Sequence, residues 1–145
     1  VYPDPEVAGF ITENFIPDRA HIKEQGDVFQ RFGAEWTPTV VIADADGTER
    51  HRFEGFLPKA DFLAQLRLGL AHRARARNEF AEAERRYREL TEGQVPDDIA
   101  AEALYWAGVA KYKATNDGAA LGETAKAFES RFTDTTWAKK ASVWR

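Results

Sequence analysis

Apolar positions change their spacing along the chain, and each change marks an element. Val7, Phe10 and Ile11, with Asn14, fall on one face of a helix that Asp4 caps and Pro5 opens. From Phe15 to Lys23 that period is lost. "FIPDRAHIK" alternates loosely there, which predicts a short strand entered through Pro17. "GDVFQRF" predicts a brief helix ending at Gly33. The Val-Val-Ile run of "TPTVVIAD" predicts a strand at Thr39–Asp44, buried on both faces. Asp46-Gly47 predicts a hairpin with a type I′ turn, because Asp and Gly accept positive φ. "TERHRFEGF" then reads as an edge strand whose charges guard its open side. From Pro58, Phe62, Leu63, Leu66 and Leu70 form the stripe of a closing helix. Helices alternating with strands in this order predict an α/β sheet layer.

Past Ala71 the strand signals stop. Phe80, Ala83, Tyr87 and Leu90 mark one helical face. Leu104, Tyr105, Gly108 and Tyr112 mark a second, after the breaker "EGQVPDD". Leu121, Ala125, Phe128 and Phe132 mark a third, and Trp137, Ala141 and Trp144 line a last short helix. Short loops between amphipathic helices predict antiparallel hairpins. Small and aromatic positions repeat at about 35 residues, close to the tetratricopeptide period. Two domains are therefore expected, 1–73 and 74–145.

Composition narrows the chemistry. The 145 residues are 43% hydrophobic and 30% charged, which fits a soluble globular protein rather than a disordered one. A net charge of −4 argues against a nucleic-acid partner, and no apolar run is long enough for a membrane span. There is no cysteine, so disulfides, thiolate zinc sites and thiol chemistry are excluded within these residues. There is also no methionine, and the chain opens at Val1, which leads to the expectation of an incomplete N-terminus.

Other candidate chemistry resolves into ordinary structure. Asp44-x-Asp46-Gly47 resembles the start of a calcium loop, but Gly55 stands where the twelfth-position Glu is required, so a hairpin turn is the expectation. His21, His51 and His72 lack the spacing of a ligand face and read as partly exposed. Neither Ser130 nor Ser142 sits in a nucleophile elbow, and no glycine-rich phosphate loop occurs. No metal and no cofactor are expected. The basic run "HRARAR" is followed by acids that pair at i,i+4: Arg75–Glu79, Glu82–Arg86, Glu84–Arg88 and Arg85–Glu89. A solvated, salt-bridged helix is expected there. Tyr105, Trp106, Tyr112, Trp137 and Trp144 read chiefly as core, with a partner-peptide groove as the livelier reading.

Three stretches together carry a resemblance: "YPDPEVAGFITENFIPDRAHI", "FQRFGAEWTPTVVIADADGTERHRFEGF" and "DFLAQL". Over roughly residues 1–73 the chain resembles the thioredoxin superfamily. It is most similar to the C-terminal thioredoxin-like domain of bacterial transmembrane thiol-disulfide interchange proteins. Trp36-Thr37-Pro38, Asp46-Gly47 and Gly55 match that pattern position by position. The resemblance implies an incomplete thioredoxin-like α/β fold followed by an all-α, tetratricopeptide-like region. The first strands and the Cys-x-x-Cys of the pattern would lie before Val1. A strand would then be missing between Phe15–Lys23 and Thr39–Asp44, so the 145 residues alone are expected to form this sheet poorly. Absent residues, another chain or a rearrangement would have to fill the gap.

The resemblance also implies a cis Pro38, with the main chain of Thr37 turned outward to pair with a protein or peptide substrate and Trp36 walling the groove. Trp36, Thr37 and Pro38 are thus the substrate-binding candidates, and no catalytic residue is expected in this chain. The parent would be a protein-disulfide oxidoreductase, and the helical region would recruit a partner. The alternative is a redox-inactive binding module or helical scaffold. The expected compartment is the cytoplasm, with the periplasm as the alternative, and the oligomeric state is left open.

Overall fold

The computed structural model describes residues 3–145; Val1 and Tyr2, where the family-like stretch opens, lie outside the described residues. Asp4 starts helix α1 (Pro5–Asn14) by accepting the amides of Glu6 and Val7 at 2.9 and 3.3 Å. Helix α1 sets a fully buried Val7, with Phe10 and Ile11, against Phe62, Leu63 and Leu66 of α3 (Lys59–Ala76). An antiparallel pair, β1 (Thr39–Ala43) and β2 (Glu49–Glu54), closes the same cluster with Val40, Ile42 and Phe53. Each large side chain fully buried here contributes about 1.5–3 kcal/mol. The α/β half is therefore a two-stranded sheet with α1 and α3 on one face.

Several expectations need correction. Phe15–Lys23 is not a strand; it runs as an irregular segment into a turn, with Ile16 wholly exposed. A strand exists only through pairing, and this segment satisfies its polar groups locally instead. The His21 amide donates to Gln25 Oε1 at 3.0 Å, and the Gln25 amide to His21 O at 2.7 Å. Strand β1 is not buried on both faces: Ile42 is buried, but Thr39, Val40 and Val41 are half-buried. Its second face carries Val41 beside Arg52, whose guanidinium donates to the carbonyls of Phe32 and Gly33 at the end of α2 (Gly26–Arg31).

The hairpin is present with a different turn. Gly47 alone among the turn residues has positive φ, 90°, and its amide donates to Asp44 O at 2.9 Å while the Asp44 amide donates to Thr48 O. That is a type I turn followed by a glycine bulge. The Asp46 carboxylate holds the Thr48 amide at 2.9 Å, which a primed turn at Asp46 would not need. The register then slips between Ile42 and Ala43, leaving Arg50 as an extra residue in β2. Arg50 reaches Asp44 at 2.6 Å, and Arg73 reaches it at 3.0 Å, so Asp44 is committed to two guanidinium groups. Those contacts, Arg50 foremost, hold its carboxyl below the usual range.

Helix α3 runs unbroken through residue 73 and serves a second cluster with Ala64, Leu68, Ala71 and Ala74. Helix α4 (Phe80–Glu89) adds Ala83 and Tyr87 to it, and α5 (Asp97–Thr115) adds Ile99, Ala103, Ala107 and Ala110. The alanines are what let α5 lie close to its neighbours. On the far side of α5, α6 (Ala119–Ala127), α7 (Thr136–Ala141) and a final 3₁₀ turn (Ser142–Trp144) bury Phe128 and Ala141 against Leu104. Three of the expected helix-surface pairs form: Glu82–Arg86, Glu84–Arg88 and Arg85–Glu89 at 3.0, 3.3 and 2.7 Å. Arg75–Glu79 does not. Helix α3 ends at Ala76, so the i,i+4 relation breaks, and Glu79 pairs with Arg77 instead. Among the described residues no helix is long and apolar enough to cross a membrane.

Candidate functional site

The stretch Trp36-Thr37-Pro38 is held at both of its ends and open between them. Upstream, α2 stops in a paired cap: the Gly33 amide donates to Gln30 O and the Ala34 amide to Phe29 O. Gly33 makes this turn with φ 63°, a conformation in which a side chain is strained. Downstream, the Thr39 hydroxyl donates to Trp36 O at 2.6 Å, and Pro38 O accepts the Gly55 amide at 2.8 Å. The Thr37–Pro38 bond is cis. Among the described residues, neither the N–H nor the C=O of Thr37 has a hydrogen-bond partner. Trp36 is 66% exposed and Phe56 is 76% exposed, an unusual display of large apolar surface.

The N-terminus of α1 lies at this end of the fold. Lys59, which opens α3 a few residues after Phe56, bridges Asp4 at 3.1 Å and Glu6 at 2.6 Å. The Gly55–Pro38 hydrogen bond carries the connection on to Thr37. The loop itself offers a main-chain donor and acceptor between two apolar walls, which suits an extended peptide. It holds no thiol. The sequence does not single out Phe56, because "TERHRFEGF" reads as strand to its end, whereas β2 stops at Glu54 and leaves this aromatic outside the sheet.

The open edge of β1 continues the site. The pairing of Val40 with Phe53 and Ile42 with His51, in step with Pro38 and Gly55, turns the main-chain groups of Thr39 and Val41 away from β2. Among the described residues these groups meet no partner. Such an edge is a template for a further strand.

The histidines, expected as scattered and partly exposed, form a pair. His51 on β2 and His72 on α3 stand 5.3 Å apart between ring centres, and His72 is buried. His72 Nδ1 lies 2.6 Å from Tyr87 Oη and its Nε2 lies 2.9 Å from Glu102, so one ring links α3, α4 and α5. His51 Nε2 meets Gln65 Oε1 at 2.6 Å. No local spacing signals a contact between residues so far apart in sequence. His21 stays exposed in its turn.

Burial holds His51 below its ordinary pKa of 6.5, and the positive charge that His72 can carry adds to this, against the opposing pull of Gln65, Glu102 and Glu49. The unfolded chain therefore takes up the proton first as pH falls through 6.5. Stability from a neutral His51 is complete above that value, is lost down to the lower folded-state pKa, and then levels off. In urea unfolding followed from neutral to mildly acid pH, His51→Gln is expected to flatten this loss. An unchanged slope would assign it to other groups.

Residues 2–69 match the family model of the thioredoxin-like domain, so the α/β half is thioredoxin-like. No curated protein and no solved structure matches the chain.

Proposed function

We propose that this chain supplies the target-holding half of a thiol-disulfide oxidoreductase of the thioredoxin superfamily. The observation that carries the reading is Thr37, its main-chain donor and acceptor unpartnered among the described residues, between the exposed Trp36 and Phe56. An extended segment of the target would pair with Thr37 and lie against Trp36 and Pro38. The thiols must come from outside these 145 residues, which contain no cysteine. A thiolate there would attack one sulfur of the target disulfide and expel the other as a thiolate. The second thiol would then displace the target, leaving two reduced target sulfurs and one new disulfide. The open edge of β1 supports this reading, since it is where a further strand would dock to complete the sheet. Kinship with bacterial thiol-disulfide interchange proteins belongs to the same proposal. So does a tetratricopeptide-like helical half that recruits a partner in the cytoplasm or, alternatively, the periplasm.

Insulin disulfide reduction by the full-length protein, with and without prior thiol alkylation, tests the reaction. Trp36→Ala is expected to lower kcat/KM about tenfold, the effect of losing part of one apolar wall, with little change in thermal stability because the indole is 66% exposed. Reduction that survives alkylation sinks the redox proposal, and activity indifferent to Trp36→Ala sinks the loop's role. The absence of cysteine favours one other reading, a redox-inactive thioredoxin-like binding module. In that case reduction is absent while Trp36→Ala still weakens partner capture.

A further inference from the structure

Arg75 leaves the helix surface, where a salt bridge to Glu79 was expected, and lays its guanidinium over the Trp106 ring at 3.8 Å. Its Nε donates to Tyr87 Oη at 3.1 Å, but its two terminal nitrogens meet no acceptor among the described residues. Lys140 repeats the arrangement on α7, with Nζ 4.2 Å from the centre of the Trp137 ring and no carboxylate partner among the described residues. Glu102 on α5 is turned to His72 instead. These cations therefore stand on aromatic rings with donor capacity to spare, in a chain whose net charge is −4.

The rings beneath them are continuous. Trp106 and Trp137 lie 6.4 Å apart, Tyr105 stands edge-on to Trp106 at 5.2 Å, and Tyr105 stacks on Trp144 at 4.7 Å with 24° between planes. All four aromatics are half-buried, so each is anchored in the helices and partly exposed. Arg75 covers the Trp106 ring and Lys140 the Trp137 ring, so what this face offers a ligand is the two cations.

We propose that Arg75 and Lys140, standing over the face formed by Tyr105, Trp106, Trp137 and Trp144, dock an extended acidic segment of a partner protein. Carboxylates of the segment bind the terminal nitrogens of Arg75 and the Lys140 ammonium. An ammonium over an indole is only partly satisfied by the ring, so a carboxylate adds a charge-assisted hydrogen bond without breaking an existing ion pair. The proposal names the ligand chemistry of the partner-recruiting half described above. It involves no thiol step, so it stands or falls apart from the redox reading.

The test uses the full chain and two fluorescein-labelled peptides, one of repeated Glu-Pro-Pro and one of repeated Lys-Pro-Pro, read by fluorescence anisotropy. The acidic peptide is expected to bind and to weaken with added salt, while the lysine peptide does not bind. Lys140→Glu, at an exposed position that leaves the rings in place, is expected to weaken the acidic peptide at least about tenfold. Arg75→Gln is the second variant, with circular dichroism of both confirming the fold. Absence of binding at millimolar peptide, equal binding of both peptides, or affinity unmoved by Lys140→Glu overturns the proposal.

Discussion

Tyr87→Ala is expected to lower the free energy of unfolding by about 3–5 kcal/mol, the usual range for emptying an aromatic site in a closed core. Tyr87 has no exposed surface and sits among Leu68, Ala71, Ala74, Ala103 and Ala107, so the surrounding side chains are too small and too tightly placed to fill the space. Its hydroxyl lies 2.6 Å from His72 Nδ1 and receives Arg75 Nε at 3.1 Å. Burial pushes the phenol up to about 12, with Arg75 opposing, so the group is neutral at any working pH. Tyr87→Phe keeps the ring and removes only the hydroxyl, leaving a buried His72 nitrogen without that partner at about 1–3 kcal/mol. Urea unfolding of the two variants separates packing from hydrogen bonding. If Tyr87→Ala cost no more than Tyr87→Phe, the ring would not fill the core between α3, α4 and α5.

This residue also shows what was legible in the sequence. Its helical face, Phe80 to Leu90, followed from period, and the Asp4 cap and the stop of α2 at Gly33 followed from residue type. Those features are local, because they depend on residues within one or two turns. The hairpin was legible for the same reason, although its turn type was not: Asp46 binds the Thr48 amide with its side chain rather than taking positive φ. Phe15–Lys23 failed because strand formation is decided by a neighbour, and local propensity says nothing about whether that neighbour exists. The pairing of His51 with His72 and the departure of Arg75 onto Trp106 are tertiary as well. Helix α3 had to end at Ala76, and α5 had to pack beside it, before Arg75 could find a ring rather than Glu79. Trp36, Thr37 and Pro38 entered through family resemblance; their exposure, and the main chain of Thr37 that meets no partner among the described residues, come from the fold. Phe56, beside them, had no period to announce it, since it lies past the end of β2.

Gly108→Ala is expected to destabilise the protein by about 2 kcal/mol, against the sign that helix propensity alone would give. In an open helix the change is worth about 1 kcal/mol in favour of alanine. Here a Cβ at position 108 would overlap Thr124 Oγ1 and stand 2.8 Å from Thr124 Cβ and 2.9 Å from its Cγ2. Thr124 cannot swing clear. It is buried, its β-branched side chain is stiff at χ1, and its hydroxyl already donates to Ala120 O at 2.7 Å. Helices α5 and α6 must therefore move apart, an overpacking penalty of about 3 kcal/mol that outweighs the propensity gain. Thr124→Ala removes two of the three clashing atoms, so the double variant Gly108→Ala/Thr124→Ala should recover most of the loss. A double-mutant cycle by thermal or urea unfolding measures that recovery as a coupling between the two sites. Additive effects, or a Gly108→Ala variant that is simply more stable, would mean that α5 and α6 do not approach closely enough to require glycine. Since α6 and α7 reach the rest of the molecule mainly through α5, the same variant should also disturb the seating of Trp137 and Trp144 against Tyr105, visible as a change in tryptophan fluorescence before global unfolding.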